Sequence, residues 1–305
     1  MNQLSAKHFH DEDAAREFLE NVRWANGVVC PHCGVIGEHY KVKSKSARKG
    51  LRMCKDCRKQ FTVTVGTLFE RSKIGLNQWL QCAFLMCSSK KGMSSHQIHR
   101  ILGVTYKTAW FMCHRLREAM KDPVFVGLLG GSGIIVEADE TYWGNTRRKG
   151  VKVREGYEQK EKIFALVERG GRVPSFHLQH VCGKTLKPIL YSQVARETCV
   201  MTDEFGGYKG IGDHFVEHGQ VKHSHKEYVR GKIHTNTIEG FFSIVKRGLI
   251  GTYHHVGSQH LKRYMGEFDF KYSNRKITDS ERTVVALKGI AGKRLTYTAT
   301  SKRIV

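Results

Sequence analysis

Hydrophobic spacing changes character several times along the chain, and the changes mark out its elements. In DEDAAREFLENVRW, apolar residues at helical intervals predict a helix over 11–24, opened by acids that suit a helix N-terminus. The spacing is helical again from Leu76 to about Met120, in KTLKPILYSQVA, in HTNTIEGFFSIVKRG (234–248) and over roughly 258–274. Between these stretches, β-branched and aromatic residues favour strands. They occur in CKDCRKQFTVTVGTLF, IIVEADE and TCVMTDE, and in KIFALVERGGRVPSFHLQHV, a hairpin turning at Gly170-Gly171; GQVKHSHKEYV is read as a further strand. Gly130, Gly131 and Gly133 mark a hinge, and the alternation beyond them predicts a mixed α/β sheet flanked by helices. Four segments follow: an N-terminal helix and cysteine module (1–70), a helical domain (71–125), an α/β domain (126–276) and a C-terminal tail (277–305).

Two helical stretches carry more than packing information. On the 234–248 helix, Ile238, Phe241, Phe242, Val245 and Leu249 form one apolar face, with Asn236, Glu239, Ser243 and Lys246 on a polar stripe beside it. Glu239 and Lys246 sit seven residues apart, whereas ion pairs on a helix sit three or four apart, so the stripe faces something other than itself. In MSSHQIHRILGVTYKTAWFMCHRLREAM (93–120), Ser94 or Ser95 can cap a first helix, Gly103 supplies a turn, and Thr105 can cap a second. With Ala109, Cys113 and Leu116 facing inward, this is helix-turn-helix grammar, and it leaves Tyr106, Lys107, His114 and Arg117 to approach DNA.

Charge strengthens that reading. Among 305 residues, 51 Lys and Arg face 28 Asp and Glu, a net charge of +23, which implies an anionic partner and favours double-stranded DNA. Residues 41–59 alone hold nine Lys or Arg and one Asp, and residues 144–162 read as a basic insertion between strands that could clamp DNA. Membrane association is not expected, since the longest apolar run, WLQCAFLMC, is too short to span a bilayer and the N-terminus lacks a signal-peptide pattern. Nine cysteines, odd in number and unevenly spread, argue for a reducing cytoplasm, where a DNA-binding chain would be nucleoid-associated. Four of them form Cys30-x2-Cys33 and Cys54-x2-Cys57, two knuckles that place thiolates for one structural zinc in a ribbon. Cys82, Cys87, Cys113, Cys182 and Cys199 read as small buried hydrophobes, and His214, His218, His223 and His225 as scattered surface histidines.

The chemistry is expected from acids at the ends of apolar strands. Period-two alternation puts Glu137 and Asp139 on one side of IIVEADE, and Asp203 ends TCVMTDE before a Gly-Gly turn. Burying a carboxylate is unfavourable unless a cation or donor compensates. Asp139 and Asp203, joined by Glu239, can hold two Mg²⁺ (or Mn²⁺) ions for in-line phosphoryl transfer. Glu137, Glu140 and Glu204 flank these acids and either tune metal binding or are solvated.

VEADETYWG, MTDE and HTNTIEGFFSIVKRG…GTYHH…HLKRYMGEFDFKYSNR resemble the ISXO-type insertion-sequence transposases, relatives of the Merlin transposons, over nearly the whole chain. The resemblance includes the zinc ribbon and implies a ribonuclease H-like catalytic domain of the DDE type, here preceded by the ribbon and the helix-turn-helix domain read above. It further implies cleavage at element ends and joining of the 3′-hydroxyls to target DNA; a homo-oligomer on DNA is expected. Asp139 and Asp203 match the first two acids, and Lys246 matches the basic residue trailing the third. Either Asn236 or Glu239 fits the third position; Glu239 is preferred because hard cations favour anionic oxygen, with Asn236 as its hydrogen-bonding neighbour. The rival readings are a non-catalytic zinc-ribbon and helix-turn-helix regulator derived from a transposase, and a nuclease of the same fold without strand transfer.

Overall fold

The computed structural model describes residues 3–44, 46–121, 127–144 and 160–297. The basic insertion expected at 144–162 lies almost wholly outside the described residues. Two compact units divide the chain, Met1–Lys121 with Ile277–Val305 in one and Asp122–Lys276 in the other.

In the first unit, Asp11 accepts a hydrogen bond from the Ala14 amide at 2.7 Å and caps the Glu12–Arg23 helix. That helix buries Ala15 and Leu19. A three-stranded antiparallel sheet follows, made of β1 (His39–Lys41), β2 (Arg52–Cys54) and β3 (Gln60–Phe61). The strand-like run after Cys54 is shorter in the fold than in the sequence. Past Phe61 its threonine hydroxyls bond locally, as Thr67 Oγ1 does to the Thr64 carbonyl at 2.6 Å, and turns replace the ladder. Arg52 joins sheet to helix, donating to Glu20 at 2.6 Å and lying over the Trp24 ring.

Three helices come next, Leu76–Ser88, Ser95–Leu102 and Tyr106–Met120. Ser94 closes a capping box with Gln97, Gly103 takes the left-handed conformation (φ 65°) that turns the chain, and Thr105 caps the next helix by accepting from the Thr108 amide. Of residues 277–305, set apart as a tail by the sequence reading, the described stretch 277–297 belongs to this unit. Its Asp279–Lys288 helix packs on Leu76–Ser88 and Tyr106–Met120, and Lys293 donates to the Glu118 and Lys121 carbonyls at 2.9 Å. Among the described residues, no helix is long and apolar enough to cross a membrane.

The second unit is a mixed five-stranded sheet in the order β6-β5-β4-β7-β8. Its strands are β4 (Ile135–Trp143), β5 (Glu161–Glu168), β6 (Ser175–Leu178), β7 (Cys199–Thr202) and β8 (Glu217–Gln220). β4, β5 and β6 run antiparallel to one another in turn, whereas β4, β7 and β8 are parallel. Alternation sorts the two faces. Val136, Ala138, Phe164, Leu166 and Val200 pack with Leu186 and Leu190 of the Gly183–Gln193 helix. Ile163, Ala165 and Val167 pack on Ile238, Phe241 and Val245 of the Asn236–Gly248 helix and on Leu261 and Phe268 of Ser258–Ser273. The strand expected over 219–229 ends at Gln220, because β8 pairs only as far as β7 extends, with Thr202 opposite Gln220. Beyond it lie a turn at His223–His225 and a small ladder of β9 (Val229–Arg230) with β10 (Ile233–His234).

Candidate active site

Odd-numbered residues of β4 point away from the Val136–Ala138 core, toward the Asn236–Gly248 helix. Glu137 demonstrates the direction, since its carboxylate accepts from the Ile238 amide at 2.9 Å. Asp139 follows on the same side. The parallel register sets Ile135 beside Cys199 and Glu137 beside Met201, so Asp203, one residue past β7, falls level with Asp139.

A cleft of about 550 Å³ opens here, with Asp139, Glu140 and Thr141 on the strand side. Glu239, Ser243, Lys246 and Arg247 of the helix line the other side, with Phe242, Ile250 and Gly251. The polar stripe of the helix therefore faces this cleft while its Phe-rich face packs on the sheet. Asn236, at the first turn, is exposed and is not part of the cleft wall.

Burial pushes the Asp139 carboxyl up to about 8, and the charges of Glu140, Asp203 and Glu239 push it the same way against the Glu140 amide, which donates to it at 2.7 Å. Burial likewise raises Glu140 to about 7, against the Tyr208 hydroxyl, which donates to it at 2.6 Å. Asp203 is raised by burial too, while the Phe205 amide and the His223 side chain pull it down. Glu239 accepts from the Thr235 hydroxyl at 3.0 Å and lies 3.8 Å from His223 Nε2. Burial, reinforced by neighbouring negative charge, raises the carboxyls of Asp139, Glu140 and Asp203, and a divalent cation of hard oxygen preference fits that deficit of positive charge.

Of the residues expected from the sequence, Asp139, Glu239 and Lys246 line one cleft, and Asp203, which is not on its wall, makes its charge felt at Asp139. Sequence reasoning counted His223 among scattered surface histidines, and it gave Tyr208 and Arg169 no role. Only the fold brings these three to the acids; no local spacing signals it. Glu140 was legible as the immediate neighbour of Asp139.

The cysteine module is the second constellation. Sulfurs of Cys30 and Cys57, and of Cys33 and Cys54, are 3.7 Å apart, and ligand atoms of all four residues lie within 4.8 Å. Tetrahedral zinc with Zn–S near 2.3 Å requires sulfurs about 3.8 Å apart, so the four could hold it. The Val35 amide favours the Cys33 thiolate, but burial and the thiols of Cys30, Cys57 and Cys54 push it up to about 12. That crowding is what a bound cation relieves.

The residues expected at DNA divide. Tyr106 and Lys107 are exposed on the first turn of Tyr106–Met120. His114 and Arg117 are not at the surface; both are fully buried. The physical reason is that Tyr106–Met120 is enclosed by Ser95–Leu102, Leu76–Ser88 and Asp279–Lys288 together, so more than one face of it is covered; the Arg117 charge is felt at Cys82 of Leu76–Ser88, and His114 lies against Trp110.

Residues 128–273 match the ISXO2-like transposase domain, and residues 10–60 match the transposase zinc-ribbon domain. The chain is 27% identical over 286 residues to a Halobacterium salinarum protein described as the uncharacterized protein in transposable element ISH50, covering 88% of this chain and 93% of that one. It is also similar to a chain of a simian T-cell lymphotropic virus intasome in complex with PP2A regulatory subunit B56 gamma. That likeness has 14% identity over 64% of this chain and 63% of the other, and its TM-score of 0.27 carries no argument.

Proposed function

We propose, for a chain that belongs to the ISXO2-like transposase family, that it binds the terminal inverted repeats of an insertion sequence and catalyses metal-dependent DNA cleavage and strand transfer. The observation that carries this reading is the meeting of three acids whose charges are felt at one carboxyl: Asp139 in the middle of β4, Asp203 just past the end of the parallel β7, and Glu239 from the helix packed on β4 and β5. These three would hold two Mg²⁺ (or Mn²⁺) ions, which supply an activated attacking oxygen and a stabilised leaving oxygen.

The chain's own residues do the rest. Asp139 is held by the Glu140 amide and Glu239 by the Thr235 hydroxyl, so neither carboxylate has to be ordered when DNA arrives. Lys246 and Arg247, on the far wall of the cleft, engage backbone phosphates. In the other unit a zinc-held ribbon and the exposed Tyr106 and Lys107 bind the element ends through a helix-turn-helix. Joining two ends to one target calls for more than one copy on the DNA, and a homo-oligomer meets that need.

The test is incubation of the purified chain with the ends of its own element, Mg²⁺ and a plasmid target. Ends joined through their 3′-hydroxyls are expected, and none with Asp139→Asn. Specific end binding with neither cutting nor joining would make the chain a regulator, and cutting without joining would make it a nuclease.

A further inference from the structure

Glu137 is fully buried, yet it is a carboxylate two residues from Asp139 on the central strand of the sheet. Each of its oxygens has a partner. Oε1 accepts from Arg169 Nε at 2.6 Å and lies 3.3 Å from His234 Nδ1, and Oε2 accepts from the Ile238 amide at 2.9 Å. Ile238 is in the first turn of the Asn236–Gly248 helix, where backbone amides have no partner within the helix. The helix's own Thr235 makes no capping bond; its hydroxyl goes to Glu239 instead. The cap is supplied through space by Glu137.

Arg169 completes the arrangement from the end of β5. Besides Glu137, its guanidinium donates to the Lys232 carbonyl at 2.9 Å and to the His234 carbonyl at 3.0 Å. Its backbone amide bonds the Ile135 carbonyl at 3.0 Å. One arginine therefore grips the strand that carries Asp139 and the last residues before the helix that carries Glu239.

We propose that Glu137 and Arg169 are positioning residues that set the distance between Asp139 and Glu239 by clamping the start of the Asn236–Gly248 helix onto β4. The proposal rests on the assignment of those two acids to the metal site. Asp139 and Glu239 repel each other, and a helix free to shift at its first turn would carry Glu239 outward, away from β4. A buried anion at the positive end of the helix opposes that shift, because the Ile238 amide and the helix dipole are both drawn to it. Pairing with Arg169 keeps Glu137 from adding its own charge to the site. Glu239 follows Ile238 directly, so the captured amide fixes the backbone one residue from the carboxylate it serves. Neither Glu137 nor Arg169 touches metal or DNA in this scheme; both act through the helix.

The test uses the full zinc-loaded chain with two readouts, Mn²⁺ binding followed by electron paramagnetic resonance and cleavage of element ends over a range of DNA concentrations. Glu137→Gln keeps an oxygen for the Ile238 amide but loses the charge that holds Arg169. It is expected to fold with a lowered melting temperature, to bind Mn²⁺ roughly tenfold more weakly and to lower kcat roughly 100-fold at unchanged KM for DNA, the effect of a misplaced ligand. Glu137→Ala, which loses both bonds, should fall further, so the glutamine variant is a partial rescue. Should Glu137→Gln fail to fold, Arg169→Lys carries the test, since it keeps the charge but not the several-pronged hold on Lys232 and His234. A folded variant of either kind with wild-type Mn²⁺ affinity and wild-type kcat overturns the proposal. Wild-type protein that binds Mn²⁺ but cuts no DNA, with Mn²⁺ weakened in Glu137→Gln, keeps the clamp and removes the transposase reading. Cleavage abolished by Asp139→Asn but untouched by Glu137→Gln does the reverse.

Discussion

Asp139 and Asp203 stand level on neighbouring parallel strands, an outcome fixed by the pairing of Glu137 with Met201 two residues earlier. Both are partly shielded from water, and Asp203 is among the charges that raise the Asp139 carboxyl. Sheet register, set by apolar residues on the opposite face, thus forces together two groups that repel. The fold stores that repulsion at one place.

A pH dependence follows. The Asp139 carboxyl moves from an ordinary 3.8 to about 8 in the fold. Below about pH 4 both folded and unfolded chains keep the proton, and the group favours neither. From there up to about pH 8 the unfolded chain has released the proton while the folded chain retains it, so stability falls as pH rises. The loss is on the order of a few kcal/mol. Zinc-loaded protein without Mg²⁺ should melt at lower temperature at pH 8 than at pH 5, Asp139→Asn should lose much of that difference, and added Mg²⁺ should restore the wild type at pH 8. Equal pH slopes in wild type and variant would contradict the placement of this charge.

For catalysis, Asp139→Asn and Asp203→Asn are expected to leave end binding within about twofold and to reduce cleavage by at least ~1,000-fold, since each keeps its shape and loses its anionic oxygen. Gel-shift and cleavage assays on the same preparations measure both. Normal strand transfer by either variant in Mg²⁺ would end the assignment.

Zinc is expected at one ion per chain, as the 3.7 Å sulfur spacings fit its tetrahedron. Replacing Cys30 and Cys54 by Ser should remove the metal and unfold the ribbon, since in a module this small the binding energy of zinc is folding energy. Elemental analysis and circular dichroism read the two effects. A zinc-free wild type, stable to chelation, would refute it.

How much of this was legible depended on where the information lay. The Asp139 strand, the hairpin at Gly170-Gly171 and the Phe-rich helix were readable because their periodicities are local and long. The cysteine spacing was readable because four thiols in two knuckles have few other uses. By contrast, His114 and Arg117 are buried because three other helices enclose Tyr106–Met120, one of them (Asp279–Lys288) more than 150 positions later, and the helix's own periodicity does not show that cover. Glu137 was equally opaque. Its role depends on Arg169 and on a helix amide 101 residues away, and a strand glutamate two residues from an aspartate gives no sign of either.

That correction separates two pairs of residues on one helix. Arg117→Ala should lower stability by ~3 kcal/mol or more by emptying a buried charged position, and His114→Ala should act in the same direction. Neither should change the DNA affinity of the folded fraction. Tyr106→Ala and Lys107→Ala, on the exposed first turn, should leave the melting temperature within about a degree and weaken end binding, with Lys107→Ala also lowering the salt dependence. Thermal melts and binding isotherms at two salt concentrations decide it, and a fully stable Arg117→Ala that binds DNA poorly would return Arg117 to the interface.

The helix that spans the cleft poses the sharpest choice. Asn236 and Glu239 both open it, and family resemblance accommodates either as the third ligand. The structure sets them apart physically. Glu239 lines the cleft with Asp139, its charge is felt at the Asp139 carboxyl, and Thr235 holds its Oε1 in place. Asn236 is an exposed first-turn residue outside the cleft wall, and it brings no charge to a hard cation. Lys246 lies two turns beyond Glu239 on the same wall, placed for phosphate rather than for ion pairing. Glu239→Gln is therefore expected to reduce Mg²⁺-dependent cleavage by at least ~100-fold. Asn236→Ala should stay within about tenfold of the wild type, and Lys246→Ala should raise KM for DNA more than it lowers kcat. An active Glu239→Gln beside a dead Asn236→Ala would move the ligand to Asn236, and would require the first turn of the helix to rotate toward Asp139 when metal binds.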